Sequence, residues 1–142
     1  MNNTFIRNIR EFNRFYTDFL GSLNKKVLNS KYSLPEARVL FEINNSKFCT
    51  AKDIVSTLNI DKSYLSRILK KLHRDKLIYK KKSDEDARNY YLMLSELGKK
   101  DLETLESSVN SRINDLYDGL SEAGRKTLEQ SMQQIKRILS GK

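Results

Sequence analysis

Ser63, Ser66, Arg67, Lys70 and Arg74 recur at steps of three and four, and Arg88 follows behind an acidic turn. Hydroxyl, guanidinium and ammonium groups in this pattern suit recognition rather than bond making. A guanidinium fork matches the O6 and N7 acceptors of guanine, and hydroxyls bond base edges or phosphates. Ammonium groups neutralise phosphates. No bond-breaking constellation accompanies them. His73 is the only histidine and stands among lysines and arginines, so a Ser-His-Asp arrangement has no centre. Asp84, Glu85 and Asp86 lack the spacing of a metal loop, and a glycine-rich phosphate loop is missing. The expectation is a non-enzyme without catalytic residues, metal or cofactor.

The elements around these residues must hold them in place. Asp61 caps a helix over residues 61–75 whose back is Leu65, Ile68, Leu69 and Leu72. Its front carries Lys62, Ser63, Tyr64, Ser66 and Arg67, and its side Lys70, Lys71 and Arg74. Thr50 and Asp53 form a capping box on a preceding short helix with Ile54, Val55 and Leu58 inward, and Asn59-Ile60 makes the turn. Ile78–Lys82 and Asn89–Leu94 read as strands around a polar turn, a β-hairpin bearing Lys81, Asp86 and Arg88. Helix, turn, helix and hairpin make a winged helix-turn-helix. Arg67 is the best candidate for a guanine contact. Tyr64 suits a thymine methyl or sugar, or equally its own domain. Arg88 suits a narrow minor groove, whose negative potential attracts guanidinium, with Asp86 holding the loop. The bland alternative is a solvated loop with a surface ion pair worth little.

The charge agrees. The 142 residues carry a net +9, with a pI of about 9.6. Residues 61–82 hold 9 basic against 2 acidic residues, whereas 89–142 balance 8 against 8. The excess sits on the candidate reading helix and the strand after it, which points to an anionic partner. Cys49 is the only cysteine, so no internal disulfide forms and a reducing cytoplasm is expected. It lies beside Phe48, where a buried inert thiol is the better reading. No apolar run approaches the roughly 18 residues of a membrane span. Arg7, Arg10 and Arg14 break any signal-peptide pattern. No membrane partner is expected.

Apolar stripes flank the motif. Phe5, Ile9, Phe12, Tyr16, Phe19, Leu23 and Val27 line a long first helix, widened by Phe15 and Leu20. Ser33, Pro35 and Glu36 open a second helix with Ala37, Leu40, Phe41 and Ile43 on its apolar face. Lys47-Phe48-Cys49 is an apolar bridge with the look of a strand. Ser95 caps a helix striped by Leu102, Leu105, Val109, Ile113, Leu116 and Leu120. After a break at Asp118-Gly119, a last helix carries Leu128, Met132, Ile135, Ile138 and Leu139. On the residues alone, intrachain core and a second subunit explain the first stripe equally well.

Ser33 to Lys100 resembles the MarR family of bacterial winged-helix regulators. The resemblance lies in Ser-Leu-Pro-Glu-Ala-Arg-Val-Leu-Phe-Glu-Ile, in Asp-Lys-Ser-Tyr-Leu-Ser-Arg-Ile-Leu-Lys-Lys-Leu, and in Asp86-x-Arg88 followed by Leu94-Ser95-x-x-Gly98. Serine stands where the family pattern has threonine, a capping substitution of little consequence. Part of the wording also resembles members fused to an acetyltransferase domain, which is not expected here. The resemblance implies a mainly α fold with a small β-hairpin wing. It implies a single domain over 1–142, with the winged helix over 33–94 and dimerisation helices over 4–29 and 95–140. It further implies a homodimer on double-stranded DNA, probing half-sites about 34–36 Å apart, acting as a repressor and released by a small aromatic or anionic effector. Oxidant-sensing cysteines of some members lie in the first helix, which has none here. The alternative is an architectural or nucleoid winged-helix protein without sequence preference.

Overall fold

A computed structural model describes residues 2–86 and 88–141, leaving aside the side chains of Lys26 and Leu28. The elements run α1 (Asn3–Leu28), α2 (Leu34–Asn45), α3 (Ala51–Leu58), α4 (Lys62–Arg74), β1 (Ile78–Lys82), β2 (Tyr90–Leu94), α5 (Glu96–Tyr117) and α6 (Glu122–Ser140). The fold is mainly α with one antiparallel hairpin. Two compact units divide within α5, Met1–Val109 and Asn110–Lys142.

Helix starts follow local chemistry. The Ser33 and Thr50 side chains each accept the backbone N–H of the third helical residue, and Glu36 and Asp53 accept the cap's own N–H, two complete capping boxes. Ser121 caps α6 through the Gly124 N–H. The α3–α4 turn needs a left-handed residue, and Asn59 supplies it at φ 49°.

The core of the first unit gathers Val39 and Leu40 of α2, Ile54 of α3, Leu65 and Leu72 of α4, Leu77, Leu92 and Leu94 of the hairpin, and Leu102 and Leu105 of α5. Ala37, Leu40 and Ile43 are buried on α2 as expected, but Phe41 is not. Glu36, Val39, Leu40 and Ile43 are buried, at the i, i+3, i+4, i+7 spacing of one helix face. Phe41 lies off that arc and is exposed.

The bridge before α3 is not a strand. Phe48 adopts φ 62°, and a backbone bond from Leu92 N–H to Cys49 O (2.7 Å) joins the bridge to β2. A left-handed residue breaks the extended run that a ladder needs.

The first aromatic stripe is only partly covered. Val27 is buried, but Phe5, Ile6, Ile9 and Phe12 are exposed, and Phe15 is 66% exposed. Phe12, Tyr16 and Phe19 stack along the helix at centroid spacings of 5.5 and 6.3 Å. In the second unit α6 buries none of its residues, with Ile138 63% exposed.

Candidate nucleic-acid interface

The reading helix α4 divides into two rows. Leu65, Ile68 and Leu72 point inward and are buried. Ser63, Arg67, Lys70 and Arg74 follow at i, i+4, i+7 and i+11, so they share the opposite row, and all four are exposed. Asp61 caps this helix, its Oδ2 accepting the Tyr64 N–H at 3.0 Å. The aliphatic row fixes the angle of the helix, and the polar row is left to meet a ligand. Lys62 and Ser66 are also exposed, on one flank of the row.

Tyr64 and Lys71 share the other flank. Lys71 is turned toward α2, its Nζ 2.8 Å from Glu36 Oε2. The sequence reading put Lys71 beside Lys70 as a side-row cation; its head group meets this carboxylate instead. Burial pushes the Glu36 carboxyl up, but Lys71 and the Ser33 hydroxyl and N–H outweigh it and hold it below its ordinary value. Tyr64 lies beneath Arg67, whose guanidinium carbon is 5.6 Å from the ring centroid. The same ring lines an open cleft with Pro35, Arg38 and Asn59.

The wing is built on a register that sets Ile78 against Leu94, Lys80 against Leu92 and Lys81 against Tyr91. Ile78, Leu92 and Leu94 bury the hairpin base, and Lys81 remains exposed. Ser83 organises the tip. It is only 7% exposed, accepts the N–H groups of Glu85 and Asp86 on its Oγ, and donates to Tyr91 Oη at 3.2 Å. Asp86 Oδ1 accepts the Arg88 N–H at 3.0 Å and lies 3.5 Å from Arg88 Nε. The Asp86–Arg88 pairing expected of the turn is therefore present. The Arg88 side chain remains 92% exposed. Tyr91 also packs on Phe48, with ring centroids 5.1 Å apart, so the wing leans on the bridge before α3.

Further contacts tie α5 to the rest of the first unit. Ser95 accepts the Gly98 N–H at 3.0 Å and donates to Lys76 O at 2.7 Å, while the Ser95 N–H bonds Leu77 O at 2.9 Å. A Cβ on Gly98 would stand 2.1 Å from Leu77 O, so only glycine permits this approach. Near the start of α5, Asp101 accepts the Tyr32 hydroxyl and pairs with Lys31 Nζ at 2.8 Å.

Sequence reasoning missed the Glu36–Lys71 pair, the buried role of Ser83 and the Tyr32–Asp101 bond. Glu36 and Ser83 left signals, as a capping acid and a turn serine, but Glu36 meets Lys71 from another helix and Ser83 meets Tyr91 only through the hairpin pairing. Cys49 is buried, and burial, with help from Asp53 and Glu42, pushes its thiol up to about 11. It stays protonated at neutral pH, a poor nucleophile.

A helix-turn-helix with an exposed cationic row, and an arginine-tipped hairpin beside it, defines a winged-helix DNA-binding protein. Residues 31–89 match the MarR family model. The transcriptional regulator SarA of Staphylococcus aureus is 28% identical over 100 residues, covering 70% of this chain and 81% of SarA. A MarR/EmrR family transcriptional regulator from Acinetobacter sp. ADP1 superposes with a TM-score of 0.73 at 22% identity, over 99% of this chain and 100% of that one. A mutant MarR from E. coli in complex with operator DNA gives a TM-score of 0.73 at 19% identity, over 94% of this chain and 96% of that one. The winged-helix segment 31–89 is thus MarR-like, and the chain shares the fold of solved MarR-family structures.

Proposed function

We propose that the chain is a homodimeric, sequence-specific repressor that reads a pseudo-palindromic operator in the bacterial cytoplasm. The observation that carries this reading is the α4 row of Ser63, Arg67, Lys70 and Arg74, exposed opposite the buried Leu65, Ile68 and Leu72. A helix so divided enters a major groove with its polar row toward the bases. Arg67 reads a guanine, Ser63 and Ser66 bond bases or phosphates, and Lys62, Lys70 and Arg74 neutralise phosphates. On the wing, Arg88 enters the minor groove with Asp86 bracing it, and Lys81 faces the backbone. Lys71 braces α4 through Glu36, and Tyr64 supports Arg67 from below. The likeness to a fold seen with operator DNA supports this assignment.

A second copy is the natural cover for the exposed aromatics of α1 and, separately, for the exposed aliphatics of α6. Two copies related by a dyad would address half-sites about 34–36 Å apart. A small aromatic or anionic effector bound between dimer helices and reading heads would change that separation. The Tyr32–Asp101 bond, which joins α5 to the segment before α2, supports such coupling.

Selection of bound duplexes from a random pool, followed by footprinting and sedimentation, tests the reading. The expected result is a discrete palindromic footprint by a dimer. Uniform, steeply salt-dependent coating of all sequences would instead make it an architectural DNA-binding protein.

A further inference from the structure

A helix lying in a major groove meets two phosphate walls, one along each edge. On α4 one flank of the base-facing row carries Lys62, Ser66 and His73, and the other carries Tyr64 and Lys71. The second flank faces α2, and there the arithmetic of charge fails. Lys71 is bound to Glu36 at 2.8 Å, so its charge is met within the protein. Tyr64 supplies no cation, and Arg67 is stacked over its ring. A wall of phosphates on this side needs a cation from outside α4.

Arg38 meets the need. It stands on α2, is exposed, and has no carboxylate partner among the described residues. It lines, with Asn59 and Tyr64, an open cleft of about 190 Å³ beside the first turn of α4. Arg38 and Asn59, both able to donate, line that cleft together with Pro35, Leu58, Ile60 and Tyr64, and a guanidinium binds phosphate oxygens in a bidentate fork. We propose that Arg38 holds a DNA phosphodiester on the α2-side wall of the groove, the ligand resting in the cleft beside Tyr64. The inference rests on α4 entering the groove and adds the residue that anchors its second edge. Glu36 and Arg38 thereby divide the labour of one helix: the first fixes α4 by binding Lys71, and the second fixes the duplex against α4.

Affinity measured against salt concentration tests this on a duplex of random sequence, where phosphate contacts dominate. Arg38→Ala is expected to lower the slope of log K against log[salt] by about 0.9, so that the loss of affinity between 50 and 200 mM salt becomes about 3.5-fold smaller. Arg38→Lys keeps the cation and is expected to restore the slope. The thermal unfolding of Arg38→Ala should match wild type, because the side chain is exposed. An Arg38→Ala slope equal to wild type, beside a Lys70→Ala slope that falls, overturns the role of Arg38 and leaves α4 in the groove. Slopes unchanged in both variants overturn the placement of α4 itself, and Arg38 with it.

Discussion

Lys71 Nζ lies 2.8 Å from Glu36 Oε2, and this ion pair joins the reading helix to the capping box of α2. Lys71→Met would leave the buried Glu36 carboxylate without its counter-ion. Breaking a fully buried pair costs about 3–5 kcal/mol. Lys71 is 42% exposed, so a loss of about 1–3 kcal/mol is expected in urea unfolding. The pair also sets an acid limb. Glu36 keeps its charge below the ordinary 4.5 in the fold, so as pH falls the unfolded chain takes up the proton first. Stability is therefore full above about 4.5 and is lost as pH falls through the folded value. Lys71→Met should flatten that limb. Unchanged stability with weakened DNA binding would return Lys71 to the phosphate row.

Arg67 and Lys70 are neighbours on one row but should fail differently. Arg67→Ala is expected to cost about 1–3 kcal/mol at one base position and to relax preference there. Lys70→Ala should weaken every sequence alike and shave the salt slope by about one. Equal losses on all duplexes from both variants would remove direct readout from Arg67. Arg88→Ala should lose affinity at the A·T-rich edges of the site and nowhere else.

Gly98 is a packing glycine. Its Cα faces Leu77 O so closely that a Cβ would stand 2.1 Å away, against backbone that cannot swing aside. Gly98→Ala should destabilise by about 1–3 kcal/mol through overpacking, near the upper end. Ser95→Ala, which removes the cap and the bond to Lys76 O, should cost about 1 kcal/mol. Thermal melts of both variants check the order. A Gly98→Ala protein as stable as wild type would mean that α5 can start without touching Leu77.

Tyr32 donates its hydroxyl to Asp101, and burial and that carboxylate raise its ionisation well above the ordinary 10. The unfolded chain therefore releases this proton first, so the contribution is complete below pH 10 and is lost as pH rises further. Tyr32→Phe should lose about 1–2 kcal/mol at pH 7 and show a flatter alkaline limb than wild type. On the acid side Lys31 and the Tyr32 hydroxyl hold Asp101 below its ordinary 3.8. An alkaline limb identical in Tyr32→Phe and wild type would place that titration on another group.

Much of this architecture is local and therefore legible along the chain. The capping boxes at Ser33 and Thr50, the Asn59 turn, the Asp61 cap and the aliphatic back of α4 each depend on residues within one or two helical turns. So does the Asp86–Arg88 pair. The polar face of α4 follows from the same periodicity, which sets Ser63, Ser66, Arg67, Lys70 and Arg74 opposite the aliphatic back, and the structure narrows it to a row of Ser63, Arg67, Lys70 and Arg74 with Ser66 on its flank.

What the chain order could not decide is where a side chain turns once other elements arrive. Periodicity put Lys71 beside Lys70, but a long flexible cation swings to the nearest buried carboxylate, and only tertiary packing brought Glu36 within its reach. Phe41 looked like core by composition, yet the side from which neighbouring elements cover α2 selected Val39 instead. The strand character of Lys47-Phe48-Cys49 yielded to a left-handed Phe48 packed on Tyr91. Sequence thus determined the helices, their caps and the polar face of α4, because those are short-range properties of the backbone. Tertiary structure alone decided that Lys71 is paired with Glu36 while Lys70 stays exposed, because a charge pairs with what packing places beside it.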